Sequence, residues 1–101
     1  MSDRQSPAEL SVRKAAERYL RRRQADATEA TVKSWKYRLK LFVEWCEGIG
    51  LNRVGDLRGY DIDEYYEIRS AKVAPATLEG EMWTMRMFAE YLEQIDAVED
   101  G

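Results

Sequence analysis

Histidine is missing altogether from this 101-residue chain. Its absence removes the commonest general base and the commonest metal ligand. Cysteine occurs once, as Cys46, which excludes an internal disulfide framework and fits a reducing compartment. One thiol and scattered carboxylates do not make a zinc site, and there is no glycine-rich phosphate loop. The chain therefore reads as a non-enzyme without cofactor or metal. Proline occurs only twice and glycine six times, and the apolar residues come in helix-sized blocks, which argues against an all-β domain. Nothing resembles a signal peptide or a bilayer span. The expectation is a soluble, cytoplasmic protein with no membrane partner.

What is present is a folding composition: 45% of the residues are apolar and 35% charged, a mixture that buries a core. One all-α domain, a small four-helix bundle, is predicted, with helices at about 8–24, 28–47, 61–71 and 76–95. In the first, Ser6 would cap, Pro7 suits the first helical position and Glu9 completes a capping box. Val12, Ala15, Ala16, Tyr19 and Leu20 supply its apolar side. Arg21, Arg22 and Arg23 near its end either complement the helix dipole or contact DNA. The second starts at Thr28 or Thr31, buries Val32, Trp35, Leu39, Phe42, Val43 and Cys46 on one arc, and stops at Gly48 and Gly50. Cys46 is expected to be a small buried hydrophobe. Asp61 would cap the third, with Ile62, Tyr65, Tyr66 and Ile68 as its apolar positions. Pro75 pushes the start of the fourth to Thr77 as cap, and the tail from Asp96 should fray.

The second and fourth helices match at an offset of 46. Thr31, Phe42 and Glu44 recur as Thr77, Phe88 and Glu90, and Tyr37 and Lys40 answer to Trp83 and Arg86. The charge is unevenly spread. From Leu10 to Cys46 ten Lys/Arg oppose four Asp/Glu, a net of +6, whereas from Glu47 to Gly101 five oppose thirteen, a net of −8. Lys33, Lys36 and Lys40 fall at i, i+3 and i+7, a single stripe flanked by Tyr37. A polyanion responds to such a local field even when the whole chain is at −3. A lysine stripe is also what a solvated face gives, and the acidity of the whole would fit adaptation to high salt.

The segments ATEATVKSWKYRLKLFVEWCEGIGL and APATLEGEMWTMRMFAEYLEQI, with DLRGYDIDEYYEIRSA between them and SVRKAAERYLRRR before, resemble the N-terminal core-binding domain of tyrosine recombinases of the phage-integrase type. The resemblance spans about Leu10 to Ile95 and rests on the order and spacing of the blocks. It implies a SAM-like bundle that holds double-stranded DNA, beside a separate C-terminal catalytic domain of the same protein and other protomers in a synaptic complex. The catalytic domain is not expected in this chain, and none of its tyrosines reads as a nucleophile. Carried across, the resemblance selects Thr31, Lys33, Ser34, Lys36, Tyr37 and Lys40 on the second helix and Thr77, Gly80, Trp83, Thr84 and Arg86 on the fourth as DNA contacts. Thr31 and Thr77, as caps, would offer free N–H groups to a phosphate, and Gly80 would admit the duplex. Glu79 and Glu81 depart from the family's pattern. The competing reading is a helical protein–protein module centred on Trp83, Met87 and Tyr91.

Overall fold

Two hydroxyl groups set the first two helix starts. In the computed structural model, which describes residues 6–98, the Lys14 N–H donates to Ser11 Oγ at 3.0 Å, and α1 runs Val12–Arg23. The Thr31 N–H donates to Thr28 Oγ1 at 3.2 Å, and α2 runs Glu29–Gly48. Each side-chain oxygen satisfies one of the N–H groups that a helix start leaves without a partner. The predicted start of α1 at Ser6 is corrected. Pro7–Glu9 forms a single 3-10 turn, uncapped by Ser6. The chain then extends, because backbone pairing with the α2–α3 connection takes over. The Val12 N–H donates to the Asn52 carbonyl at 2.9 Å and the Val54 N–H to the Leu10 carbonyl at 2.8 Å, around an antiparallel bridge between Ser11 and Arg53.

The third helix, α3, runs Gly59–Ser70 and so begins before Asp61. Asp61 sits inside the first turn, where its carboxylate accepts from the Arg58 N–H at 2.8 Å. The Arg58 side chain has no acceptor with which to return the bond. The fourth, α4, spans Pro75–Gln94 behind an extended Ala74. Pro75 therefore occupies the first helical position itself, and Thr77 lies within the first turn rather than capping it.

The α2 and α4 helices end alike. After α2, Leu51 N–H reaches the Cys46 carbonyl at 2.8 Å and Gly50 N–H the Glu47 carbonyl at 3.2 Å, with Gly50 at φ 80°. After α4, Ala97 N–H reaches the Leu92 carbonyl at 2.8 Å and Asp96 N–H the Glu93 carbonyl at 3.1 Å, with Asp96 at φ 60°. Both are left-handed terminations of the Schellman kind. Ala97 is buried, so the fraying expected from Asp96 does not hold through Val98; residues 99–101 lie outside the described residues.

The core is where the predicted arcs meet. Trp35, Leu39, Phe42, Val43 and Cys46 of α2 are buried, as are Val12, Ala15, Ala16 and Tyr19 of α1 and Met85, Phe88 and Leu92 of α4. Phe42 stands at the centre, 5.0 Å from the Tyr65 ring and 6.5 Å from that of Phe88. Burying such a ring contributes roughly 1.5–3 kcal/mol. Contacts between Trp35 and Trp83, Arg38 and Thr84, and Phe42 and Phe88 advance together along both helices. The two similar helices therefore pack against each other and run in the same direction. Among the described residues no helix is long and apolar enough to cross a membrane.

Candidate nucleic-acid interface

The α2 lysines fall where their spacing puts them. Lys33, Lys36 and Lys40 are exposed, and so are Ser34 and, at 61%, Tyr37. None of the three lysines forms an ion pair within the described residues. Lys33 and Lys36 line an open hollow beside Gln24, Ala27 and Glu29. Lys36 and Lys40 line the groove between α1 and α2, over an apolar floor that includes Leu20 and Leu39. The far end of that groove is closed by Arg13, whose Nε and Nη2 each donate to Glu47 at 2.9 Å. This hydrogen-bonded pair raises the guanidinium pKa and lowers that of the carboxylate. Both partners stand in solvent, so the pair positions more than it stabilises.

The α4 candidates divide. Arg86 is exposed but lines a different groove, between α3 and α4, beside Asp63 and Tyr66. The structure does not bring it into the lysine groove. Trp83 is 41% exposed and stacks on Trp35 with ring centroids 6.1 Å apart. The Arg23 guanidinium lies 5.0 Å from the Trp35 ring and 5.7 Å from that of Tyr19. Such placement favours a cation over aromatic faces and ties the end of α1 to α2. Thr77 is exposed and Thr31 half-buried. Thr31 is not a cap with a free N–H, since that group is already donated to Thr28.

One candidate turns inward and is corrected, and a second sits under a neighbouring side chain. Thr84 has 0% exposure; its Oγ1 accepts from Arg38 Nη1 at 3.1 Å and donates to the Gly80 carbonyl at 3.2 Å. It has no surface to offer a duplex. The space over Gly80 is taken by the same arginine, since a Cβ there would lie 2.8 Å from Arg38 Nη2. Gly80 leaves room for the Arg38 guanidinium.

Glu81 is explained in the same way. It is 3% exposed and receives both Arg69 Nε and Arg69 Nη2 at 2.8 Å, a bidentate pair that raises the arginine pKa. It joins α3 to α4 and does not face outward. The sequence carried a signal for it, because Glu81 lies on the apolar arc between Leu78 and Met85. Of the proposed protein-binding centre, Tyr91 is buried and Met87 packs against the core, leaving Trp83 alone at the surface.

Cys46 is fully buried, and burial pushes its pKa up to about 12. It is a packing residue. Among the described residues no group of three or more His, Cys, Asp or Glu is placed to hold a metal ion.

No family model matches the chain. Its fold is similar to the crystal structure of the N-terminal domain of a phage integrase/site-specific recombinase from Haloarcula marismortui, with a TM-score of 0.85 and 48% identity over 89% of this chain and 88% of that one. It is also 37% identical over 65 residues to tyrosine recombinase XerC of Treponema denticola, a match covering 63% of this chain and 21% of that protein. The chain thus spans about a fifth of the curated relative's length. An all-helical bundle of this order and the extensive identity to the integrase domain together show that the chain belongs to the phage integrase/tyrosine recombinase family, as an N-terminal domain of it.

Proposed function

We propose that this domain binds duplex DNA for a site-specific tyrosine recombinase and takes no part itself in breaking or joining strands. Its partners would be double-stranded DNA, the C-terminal catalytic domain of the same protein and neighbouring protomers in a synaptic complex. The observation that supports this most is the exposed flank of α2, where Lys33, Lys36 and Lys40 stand without ion-pair partners among the described residues, beside Ser34 and Tyr37. Unpaired cations on one helix flank suit phosphates, whose neutralisation releases counterions. Lysine ammonium groups fix the position of a backbone rather than read its bases. Tyr37 and Ser34 add hydrogen-bonding groups within reach of the same strand. Arg86 and Trp83 of α4, with Thr77 at the start of that helix, would supply outlying contacts.

Titration of a labelled duplex by fluorescence anisotropy at several salt concentrations tests the reading. Three to five neutralised phosphates predict log affinity falling against log salt with a slope of roughly −3 to −5. Affinity independent of salt, or unchanged when Lys36 and Lys40 are both replaced by Glu, would contradict it.

A further inference from the structure

The α1 helix carries a second row of cations that the reading above leaves unused. Lys14, Arg18, Arg21 and Arg22 fall at i, i+4, i+7 and i+8, so they share one side of the helix. All four are exposed, and none forms an ion pair or a side-chain hydrogen bond within the described residues. That sets them apart from Arg13, Arg23, Arg38, Arg53, Arg58 and Arg69, each of which is engaged with an acid, a hydroxyl, a carbonyl or a ring. Arg18, Arg21 and Arg22 line a cavity of about 300 Å³ together with Tyr91 of α4, and no acid lines it. Dipole complementation explains cations in the last turn only. Lys14 and Arg18 lie before that turn.

We propose that this α1–α4 edge is a second site for a nucleic-acid phosphodiester backbone, separate from the lysine flank of α2. The proposal rests on the DNA-binding reading above and extends it. Separation follows from the grooves: Lys36 and Lys40 share theirs with Arg13, Glu17 and Leu20, whereas Arg18, Arg21 and Arg22 share theirs with Tyr91. Glu17 and the Arg13–Glu47 pair belong to the α2 side of α1. The ligand class follows from the residue types and the spacing. Guanidinium forks pair with phosphate oxygens in a bidentate manner. Four residues of helix advance about 6 Å, so Lys14, Arg18 and Arg22 are spaced for about every second phosphate of a strand that presents one every ~3.4 Å of duplex axis. A domain with two such edges would hold two backbone segments at once.

The test compares wild-type protein with Arg18→Gln/Arg21→Gln/Arg22→Gln and with Lys33→Gln/Lys36→Gln/Lys40→Gln. Glutamine keeps helix propensity close to that of arginine and lysine, and circular dichroism checks the fold. Stoichiometry is read with a short duplex at low salt by native mass spectrometry, and affinity by anisotropy against salt. Wild type should bind two duplexes and each triple variant one, with the salt slope of the lost event equal to roughly −2 to −3. Inorganic phosphate at millimolar concentration should displace neither duplex. One duplex bound by wild type and by the arginine variant alike, with equal slopes, overturns the second site and leaves the α2 reading intact. Binding of one duplex that both triple variants weaken means one continuous surface, which also overturns it. If the arginine variant changes only the sedimentation of the protein, the edge serves a second copy and the proposal fails. No binding by wild type at low salt would sink the DNA reading itself.

Discussion

The α2 and α4 helices are alike in sequence, run in the same direction, bury the same kind of arc and end in the same left-handed termination, yet only one of them presents a row of cations on its outer flank. The reason is the neighbour each receives. Lys36 and Lys40 of α2 correspond at the offset of 46 to Met82 and Arg86 of α4. On α2 that flank meets α1 at a groove rim and stays exposed. On α4 the same flank borders α3, so that Met82 packs toward the core and Arg86 lines a groove with Asp63 and Tyr66. Similar helices share a core face, while the use of their outer faces depends on what packs beside them.

The largest effect should come from the bond that holds α3 against α4. Arg69→Met leaves Glu81 buried without its partner, and a loss of about 3–5 kcal/mol in denaturant unfolding is expected. Adding Glu81→Leu should restore most of it, because a buried ion pair and an apolar pair of similar volume are close in stability. Recovery would show that α3 covers the flank of α4 by shape; its absence would show that the pair itself positions α3.

Next in size is Gly55→Ala. A Cβ there would stand 2.7 Å from both the Ala8 Cβ and the Ala8 carbonyl oxygen. Backbone must move, and a destabilisation of about 1–3 kcal/mol is expected, measured by thermal melting. Gly80→Ala is the contrast, since it meets only the flexible end of Arg38. The gain in helix propensity, about 1 kcal/mol, should nearly offset the disturbed bond to Thr84, worth about 1 kcal/mol.

These two glycines show where the sequence was legible. The arc of α2 and its stop at Gly50 could be read because they depend on residues within a few positions of each other, whereas its cap was left open between Thr28 and Thr31. The inward turn of Arg38, the burial of Thr84 and the Arg69–Glu81 pair could not be fixed, because a charged side chain on a helix reads as solvent-facing until the adjacent helix is known. Glu81 on the apolar arc was the one local hint. The start of α1 was missed because Ser6 and Ser11 both offer caps, and the backbone pairing with Asn52 and Val54 decides between them. The lysine flank was legible as a stripe; that Arg86 would occupy another groove was not.

The functional contrast between the two helices should be smaller in energy but clear in direction. Lys36→Gln/Lys40→Gln is expected to weaken duplex binding about tenfold at low salt and to reduce the salt slope by about 2. Arg86→Gln should change the slope by at most about 1. Equal effects would mean that the two flanks meet the duplex alike despite their different neighbours. None of these exposed changes should shift stability beyond about 0.5 kcal/mol.

A last effect is absent at neutral pH and confined to high pH. Burial raises Cys46 from 9.0 and Tyr65 from 10.0, each to about 12. Because the folded values exceed the unfolded ones, the unfolded chain releases these protons first as pH rises. Stability should be unaffected by them below pH 9 and decline between 9 and about 12, as followed by urea melts across that range. Labelling of Cys46 by iodoacetamide should be negligible in the native protein at pH 8 and complete in denaturant.

The central claim is that the free flank of α2 meets the duplex. Titrating unlabelled DNA into the ¹⁵N-labelled domain at low salt tests it residue by residue. The account predicts amide shift changes concentrated between Thr31 and Lys40 and, for the second site, between Lys14 and Arg22, with α3 from Gly59 to Ser70 the least affected helix. Changes concentrated on α3, with α2 silent, would contradict it.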